Sequence, residues 1–284
     1  MDIEAHMFQL NNISPRWFAW FRSILGLYLC VHFVPLIPYA GEVWGAQGLL
    51  PDAQVNLTYG VLPDVLSHFS DFQLRIAISA MAVMSLVLAS GYFRPLAALF
   101  LWIGWVLLFN RNNFIGNPSL AFVGWLLLVC VAVPRGERKW FAKTSEPEWQ
   151  FPKMLFTASW ILMACAYTIS GLDKLKAPGW RDGIAMHHLL VNPLARPSSL
   201  RDLFVQAPSG VLAAMTYSVL FIEIAFMPLA IFRFTRKWIW LAMVLLHLGI
   251  LVFVDFADLT AGMLLIHVFT FDLRWFKWTA KWAS

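Results

Sequence analysis

Charge is what this sequence has least of. Only 13% of its 284 residues are Asp, Glu, Lys or Arg, while 60% are hydrophobic; a soluble domain carries about a quarter charged residues. A chain this poor in charge lacks the polar surface to cover itself in water, which excludes ordinary soluble domains. Cysteine is scarce as well. Cys30, Cys130 and Cys165 all lie inside apolar runs without CxxC spacing, so they read as small buried hydrophobes rather than a disulfide frame or thiolate metal site. HExxH, ExxH and paired-histidine turns are missing, and the adjacent His187 and His188 would point about 100° apart on a helix. No metal, haem or flavin is therefore expected. The net charge of +5 is no nucleic-acid footprint, because the basic residues fall in short clusters between apolar runs.

What the sequence does have is long apolar runs, with 15 Trp and 24 Phe, residue types that anchor helices at membrane–water interfaces. A span takes about 20 mostly apolar residues. Eight segments qualify: 17–40, 72–91, 94–110, 118–134, 153–172, 210–232, 237–255 and 258–273. The first is long enough to span and is followed by no small-residue cleavage site, so it does not read as a signal peptide. The expected fold is all-α: a polytopic transmembrane bundle of about eight spans forming one domain over 1–284, with both termini cytoplasmic. Charge placement supports this. Arg16, Arg22, Arg94, Arg135, Arg138, Lys139, Lys143, Lys153, Arg233, Arg236, Lys237, Arg274, Lys277 and Lys281 fall on the inner side, as the positive-inside rule requires.

The exception is the outer connection 173–209, which holds Lys174, Lys176, Arg181, Arg196 and Arg201. The other long outer segment, 41–71, carries Glu42, Asp52, Asp64 and Asp71, so the two could dock by charge. The inner loop 135–152 reads as charged and solvated. The tail 274–284, with Trp275, Trp278 and Trp282 beside Lys277 and Lys281, reads as an interfacial helix.

An ionisable residue within a span is costly and marks a functional hypothesis. Arg22 and Arg75 lie near helix ends, where snorkelling to headgroups is expected. Glu223 is mid-span and must find a partner or stay protonated; Pro228, five residues on, should kink its helix and free a carbonyl. His247 and His267 fall near the middle of the last two spans. The richest stretch is Tyr167-Thr-Ile-Ser170-Gly171-Leu-Asp173-Lys174-Leu-Lys176-Ala-Pro178-Gly179-Trp180, followed by Arg181-Asp182-Gly183. A partly desolvated lysine at a lipid–water boundary can serve as a base; the plainer reading is an interfacial ion-pair cluster anchoring a helix end.

Ser170-Gly171-Leu172-Asp173-Lys174-Leu175, with Trp180 and Gly183 after it, resembles the (A/S)-G-L-x-K-L helix-end motif of the horizontally transferred transmembrane (HTTM) family, typified by the vitamin K-dependent γ-carboxylase. The opening Arg16…Arg22-Ser-Ile-Leu-Gly26 helix, the Gly48-Leu-Leu-Pro51 loop, Glu223 with Pro228, and Leu246-His247 look similar to the family more loosely, over about 15–275. The resemblance implies that Lys174 is a base, with His247 and Glu223 as further catalytic pocket groups and Asp173, Trp180 and Arg181 as substrate-binding neighbours. It implies vitamin K hydroquinone or another quinol as co-substrate, with O2 and CO2, and a peptide or protein substrate on the outer face. Asp173 stands where the carboxylase motif has a second lysine, and the carboxylase's large lumenal portion has no counterpart here. The bundle-only form is similar to bacterial members resembling the peptide-toxin maturation factor SdpB, which implies a bacterial inner membrane. Two readings therefore stand: a membrane enzyme of carboxylase-like chemistry, or a non-enzymatic maturation factor or subunit of a membrane complex. A transporter fits less well, since no inverted repeat or matched pair of broken helices is visible.

Overall fold

The computed structural model describes residues 13–142, 145–272 and 275. They are helical throughout; an isolated antiparallel bridge between Ala195 and Val254 is the only β-type pairing among them. The expected tail helix at 274–284 lies outside the described residues except for Trp275. The chain divides into two compact units, one built on 12–152 and the other on 153–276.

The first unit contains α1 (Pro15–Phe33), a short α2 (Ala40–Trp44), α3 (Asp71–Ser90), α4 (Arg94–Arg111) and α5 (Ser119–Ala132). Local signals set the ends. Ser14 caps α1 by accepting from the Trp17 amide at 3.1 Å, with Pro15 at the first position. Ser70 and Gln73 form a capping box on α3, which stops at Gly91 in the left-handed conformation, φ 85°. Helix α1 packs on α3, α3 on α4, and α4 on α5. At the first of these crossings Gly26 lies so close to α3 that a Cβ would stand 2.5 Å from the Ser85 carbonyl oxygen. In lipid, where apolar burial offers little drive between helices, such close approach of small residues supplies the packing.

Buried charge ties this unit at one end. Arg94 donates from Nε to Glu137 Oε1 at 2.6 Å and from its η nitrogens to the carbonyls of Cys130, Val133 and Pro134. Arg22 is fully buried and donates to the carbonyls of Leu88 (2.5 Å), Ala89 (2.6 Å) and Arg138 (3.1 Å). Two expectations fail here. Arg22 does not snorkel, because the α3 C-terminus offers it unpaired carbonyls. The loop 135–152 is not merely solvated either: Glu137, Trp149 and Phe151 are buried, the acid as counter-ion to Arg94. At the other end Arg111 donates to the carbonyls of Leu50 (2.9 Å) and Gly45 (2.7 Å), and Asn112 to that of Val43 (3.0 Å). Asp64 of the acidic segment faces Arg111 at 3.8 Å. Arg75 is exposed, as expected.

The second unit contains α6 (Lys153–Lys174), short helices α7 (Pro178–Arg181), α8 (Ala185–Leu190) and α9 (Ser199–Val205), then α10 (Ser209–Ile224), α11 (Phe226–Ile231), α12 (Arg233–Phe253) and α13 (Ala257–Thr270). Helix α6 packs against α10, α11 and α13, and α12 against both α11 and α13. The backbone of 194–196 pairs with that of 253–255 through Asp255 N to Leu194 O and Arg196 N to Phe253 O, both at 2.8 Å.

Each of the eight apolar runs read from sequence holds at least one helix among the described residues. Among the described residues four helical segments, Pro15–Leu36, Asp71–Ser90, Lys153–Lys174 and Arg233–Phe253, are long and apolar enough to cross a bilayer. A fifth span results if Ser199–Val205 and Ser209–Ile224, bent by 106°, are one; Ser119–Ala132 and Ala257–Thr270 are apolar but shorter. Several long apolar helices are what a multi-pass membrane protein requires. Cys130 is buried, and Cys30 and Cys165 are half-buried; all three are free thiols.

Candidate functional site

The site is built where α6 ends against the break between α10 and α11. Pro228 has no amide to return to the carbonyl four residues earlier, so the helix is interrupted at Ala225. The expected freed carbonyl is there. Thr168 of α6 serves the break, placing its hydroxyl 3.3 Å from the carbonyl oxygens of both Glu223 and Ile224 and accepting from the Met227 amide at 3.0 Å. Gly171, one turn further, is the contact point. A Cβ there would stand 2.9 Å from Glu223 Cβ and from the Ile224 amide nitrogen. Only glycine lets α6 approach this closely.

The close approach brings two charges together. Lys174 Nζ donates to Glu223 Oε2 at 2.6 Å, to Oε1 at 2.9 Å and to Ser170 Oγ at 2.7 Å. Ser170 in turn donates to Glu223 Oε2 at 3.3 Å. The carboxylate is buried (9% side-chain exposure), while Lys174 keeps 25%. Trp180 of α7 places its ring 5.4 Å from the ammonium, a cation–π contact that orders the open side of the lysine. The same two helices also carry exposed apolar side chains, Ile169, Leu172 and Leu175 on α6 and Phe221 on α10.

Tyr167, Ser170 and Lys174 are spaced i, i+3, i+7 and so share one face of α6. Two turns back from the lysine, Tyr167 and His247 Nε2 are hydrogen-bonded at 2.8 Å, and His267 packs 5.7 Å from both rings. His267 Nδ1 donates to the Met263 carbonyl at 3.0 Å, which fixes its Nε2 as an acceptor. His247 Nδ1 and His267 Nε2, both buried, have no hydrogen-bond partner among the described residues. Such orphan nitrogens are exceptions that call for a ligand, a water or a proton partner.

The structure thus joins Lys174, Glu223 and Trp180, and sets His247 in a separate cluster deeper along the same helix face. Asp173 and Arg181 are not part of either. Asp173 is exposed and pairs with Lys176 at 2.5 Å, since the residue before Lys174 points about 100° away from it. Arg181 is exposed, and its carbonyl accepts from the Tyr217 hydroxyl at 2.9 Å. Sequence reasoning named Tyr167, Ser170 and His267 without assigning them work; their spacing along α6 and α13 was the available signal. Among the described residues no three His, Cys, Asp or Glu side chains are grouped to hold a metal.

No protein-family model, curated protein or solved structure matches the chain. What this site can do is therefore read from its geometry. A carboxylate and an amine in direct contact offer one acceptor and one donor at adjacent atoms. The proton between Lys174 Nζ and Glu223 Oε2 has a short path in either direction.

Proposed function

We propose that the chain is an eight-span protein of the horizontally transferred transmembrane family, resident in a bacterial inner membrane. In this reading the Lys174–Glu223 pair is the proton-handling centre of an enzyme acting on a quinol or another lipid-borne substrate. The observation that carries it is the half-open burial of the pair. Glu223 is shielded from solvent, yet Lys174 stays partly exposed, on a helix that also carries exposed apolar side chains. The base is then the pair rather than a lone amine. Glu223 Oε2 relieves Lys174 of its proton, and Lys174 Nζ presents a lone pair to an acidic hydroxyl at the membrane boundary. The residue chemistry is compatible with a quinol at either cluster, for the unpaired His267 Nε2 can accept from a hydroxyl and the Trp180 ring beside Lys174 can stack on an aromatic ring. When bound, the quinol supplies the reducing electrons that O2 chemistry needs.

Contacts within each unit support eight crossings. In the first unit the α4 C-terminus bonds to 43–63, across the helix from the end where Arg94 meets Glu137. In the second, 194–196 bonds to 253–255 at the far end of α12 from Arg233. Helices α4, α5 and α10–α11 each run the length of their unit between these ends, which supports reading them as crossings.

The test is turnover by purified protein in mild detergent, given vitamin K hydroquinone, O2, labelled CO2 and a glutamate-containing peptide. Wild-type protein should oxidise the quinol, and Lys174→Ala and Glu223→Gln should each slow it by about a hundredfold or more. Full activity in Lys174→Ala, or no oxidation by wild-type protein, overturns the reading. Oxidation without label in the peptide retains the quinol and removes carboxylation.

One observation favours the second reading, a maturation or assembly factor: the ion pair also ties α6 to α10 and so has a sufficient structural role. A partner chain retained in stoichiometric amount through mild-detergent purification, with no quinol oxidation, would decide for it.

A further inference from the structure

The first unit has a feature that the proposed chemistry does not use. A cleft of about 730 Å³ opens beside the N-terminal half of α1. Its lining includes the cationic Arg16, Arg138 and Lys139, the polar Ser23, and the apolar or aromatic Leu27 and Trp140. Arg22 also lines it, but its guanidinium is committed to main-chain carbonyls. Trp140 donates from its indole to Ser23 Oγ at 2.8 Å, and Ser23 donates to the Ala89 carbonyl at 2.9 Å. This links the loop carrying Arg138 and Lys139 to α1.

Among the described residues no carboxylate lines the cleft, and neither Arg138 nor Lys139 forms an ion pair. The nearest buried acid, Glu137, is held by Arg94 at 2.6 Å. Lys139 stacks over the Tyr92 ring at 5.4 Å, and Arg138 has no side-chain ion pair or hydrogen bond among the described residues. From the cleft an exposed apolar stripe runs along α1 through Trp20, Ile24, Leu27 and Val31, spaced i, i+4, i+7, i+11. At 1.5 Å per residue it extends about 16 Å, which matches much of an acyl chain within one leaflet. A cationic mouth with an aromatic rim, continuous with an apolar track, is complementary to one kind of molecule.

We propose that this cleft binds an anionic phospholipid, its phosphate between Arg138 and Lys139 and one acyl chain along the α1 stripe. Basic pockets between spans, at the end where positive charge gathers, are suited to such headgroups. The site is separate from Lys174 and does not depend on the chemistry proposed there.

The experiment is native mass spectrometry of the full chain in mild detergent, titrated with phosphatidylglycerol, phosphatidylcholine or glycerol phosphate. Phosphatidylglycerol should bind at one site and the other two weakly. Arg138→Gln with Lys139→Gln should weaken phosphatidylglycerol binding by about twentyfold. Ile24→Asn, which alters only the lipid-facing stripe, should weaken it without changing its preference over phosphatidylcholine. Arg135→Gln, in the same loop but outside the cleft, should leave binding unchanged. Equal binding of the two lipids, glycerol phosphate binding as well as phosphatidylglycerol, or an equal loss in Arg135→Gln overturns the proposal.

Discussion

Removing one member of a buried ion pair costs more than removing both, because the survivor keeps its charge without its partner. Glu223 is the more buried member, so Lys174→Met should destabilise the chain by about 3 kcal/mol. Lys174→Met combined with Glu223→Leu should recover most of that loss. A double-mutant cycle from thermal unfolding in detergent measures the difference; an additive cycle would show that the contact contributes nothing. Tyr167→Phe makes a separate case. It leaves His247 Nε2 without its 2.8 Å partner, and a buried group so orphaned costs about 1–3 kcal/mol. A shift in unfolding midpoint checks this, and an unchanged midpoint would mean that His247 turns to another partner. Residue-level need was legible in the sequence, whereas residue-level pairing was not. An acid in the middle of an apolar run demanded a counter-ion, but nothing local identified Lys174, 49 positions away. Asp173, one residue closer to the family motif's centre, was read as a neighbour of the lysine and instead faces Lys176.

The junction of α6 with α10 rests on the absence of one side chain. A Cβ on Gly171 would meet Glu223 Cβ and the Ile224 backbone, and backbone does not yield as a flexible side chain would. Gly171→Val should therefore separate the two helices, destabilise the chain by about 1–3 kcal/mol and detach Lys174 from Glu223. Quinol oxidation, if present in wild type, should fall as far in Gly171→Val as in Lys174→Ala; activity kept in full would sever the link between helix approach and site. A parallel case in the first unit is Glu137→Gln, which leaves Arg94 buried without a counter-charge; a loss of about 3 kcal/mol in unfolding free energy is expected. Helix positions were well foreshadowed by apolar run length, and the break at Ala225 by Pro228. The buried arginines were not. Arg22 and Arg94 sit near helix ends, where a headgroup and a protein carbonyl satisfy a guanidinium equally well, and only the fold decides between them.

For the whole molecule the open quantity is the number of crossings, and length and hydropathy alone give four, or five if the bent pair counts as one. The four-span count leaves the stretch from 91 to 152 on one side of the bilayer. That places Phe114 and Phe141 together. Yet Asn112 and Asn113 beside Phe114 bond to the segment after α1, at Val43 and Asn56, while Trp140 beside Phe141 bonds to the Ser90 carbonyl at the opposite end of α3. Helices α4 and α5 therefore run out and back within the first unit; α5 has only 14 residues, and a bilayer crossing by so short a helix takes local thinning of the bilayer or snorkelling at its ends. Single cysteines in a chain cleared of Cys30, Cys130 and Cys165 separate the two counts. Phe114 and Phe141 are 63% and 83% exposed, so Phe114→Cys and Phe141→Cys should both be reactive and well tolerated. With eight spans, a membrane-impermeant maleimide should label Phe114→Cys and Leu203→Cys on intact cells, but Phe141→Cys only after permeabilisation. Labelling of Phe114→Cys and Phe141→Cys on the same side would reduce the first unit to two crossings. Both counts would still place Arg135, Arg138 and Lys139 on the inner side by the positive-inside rule.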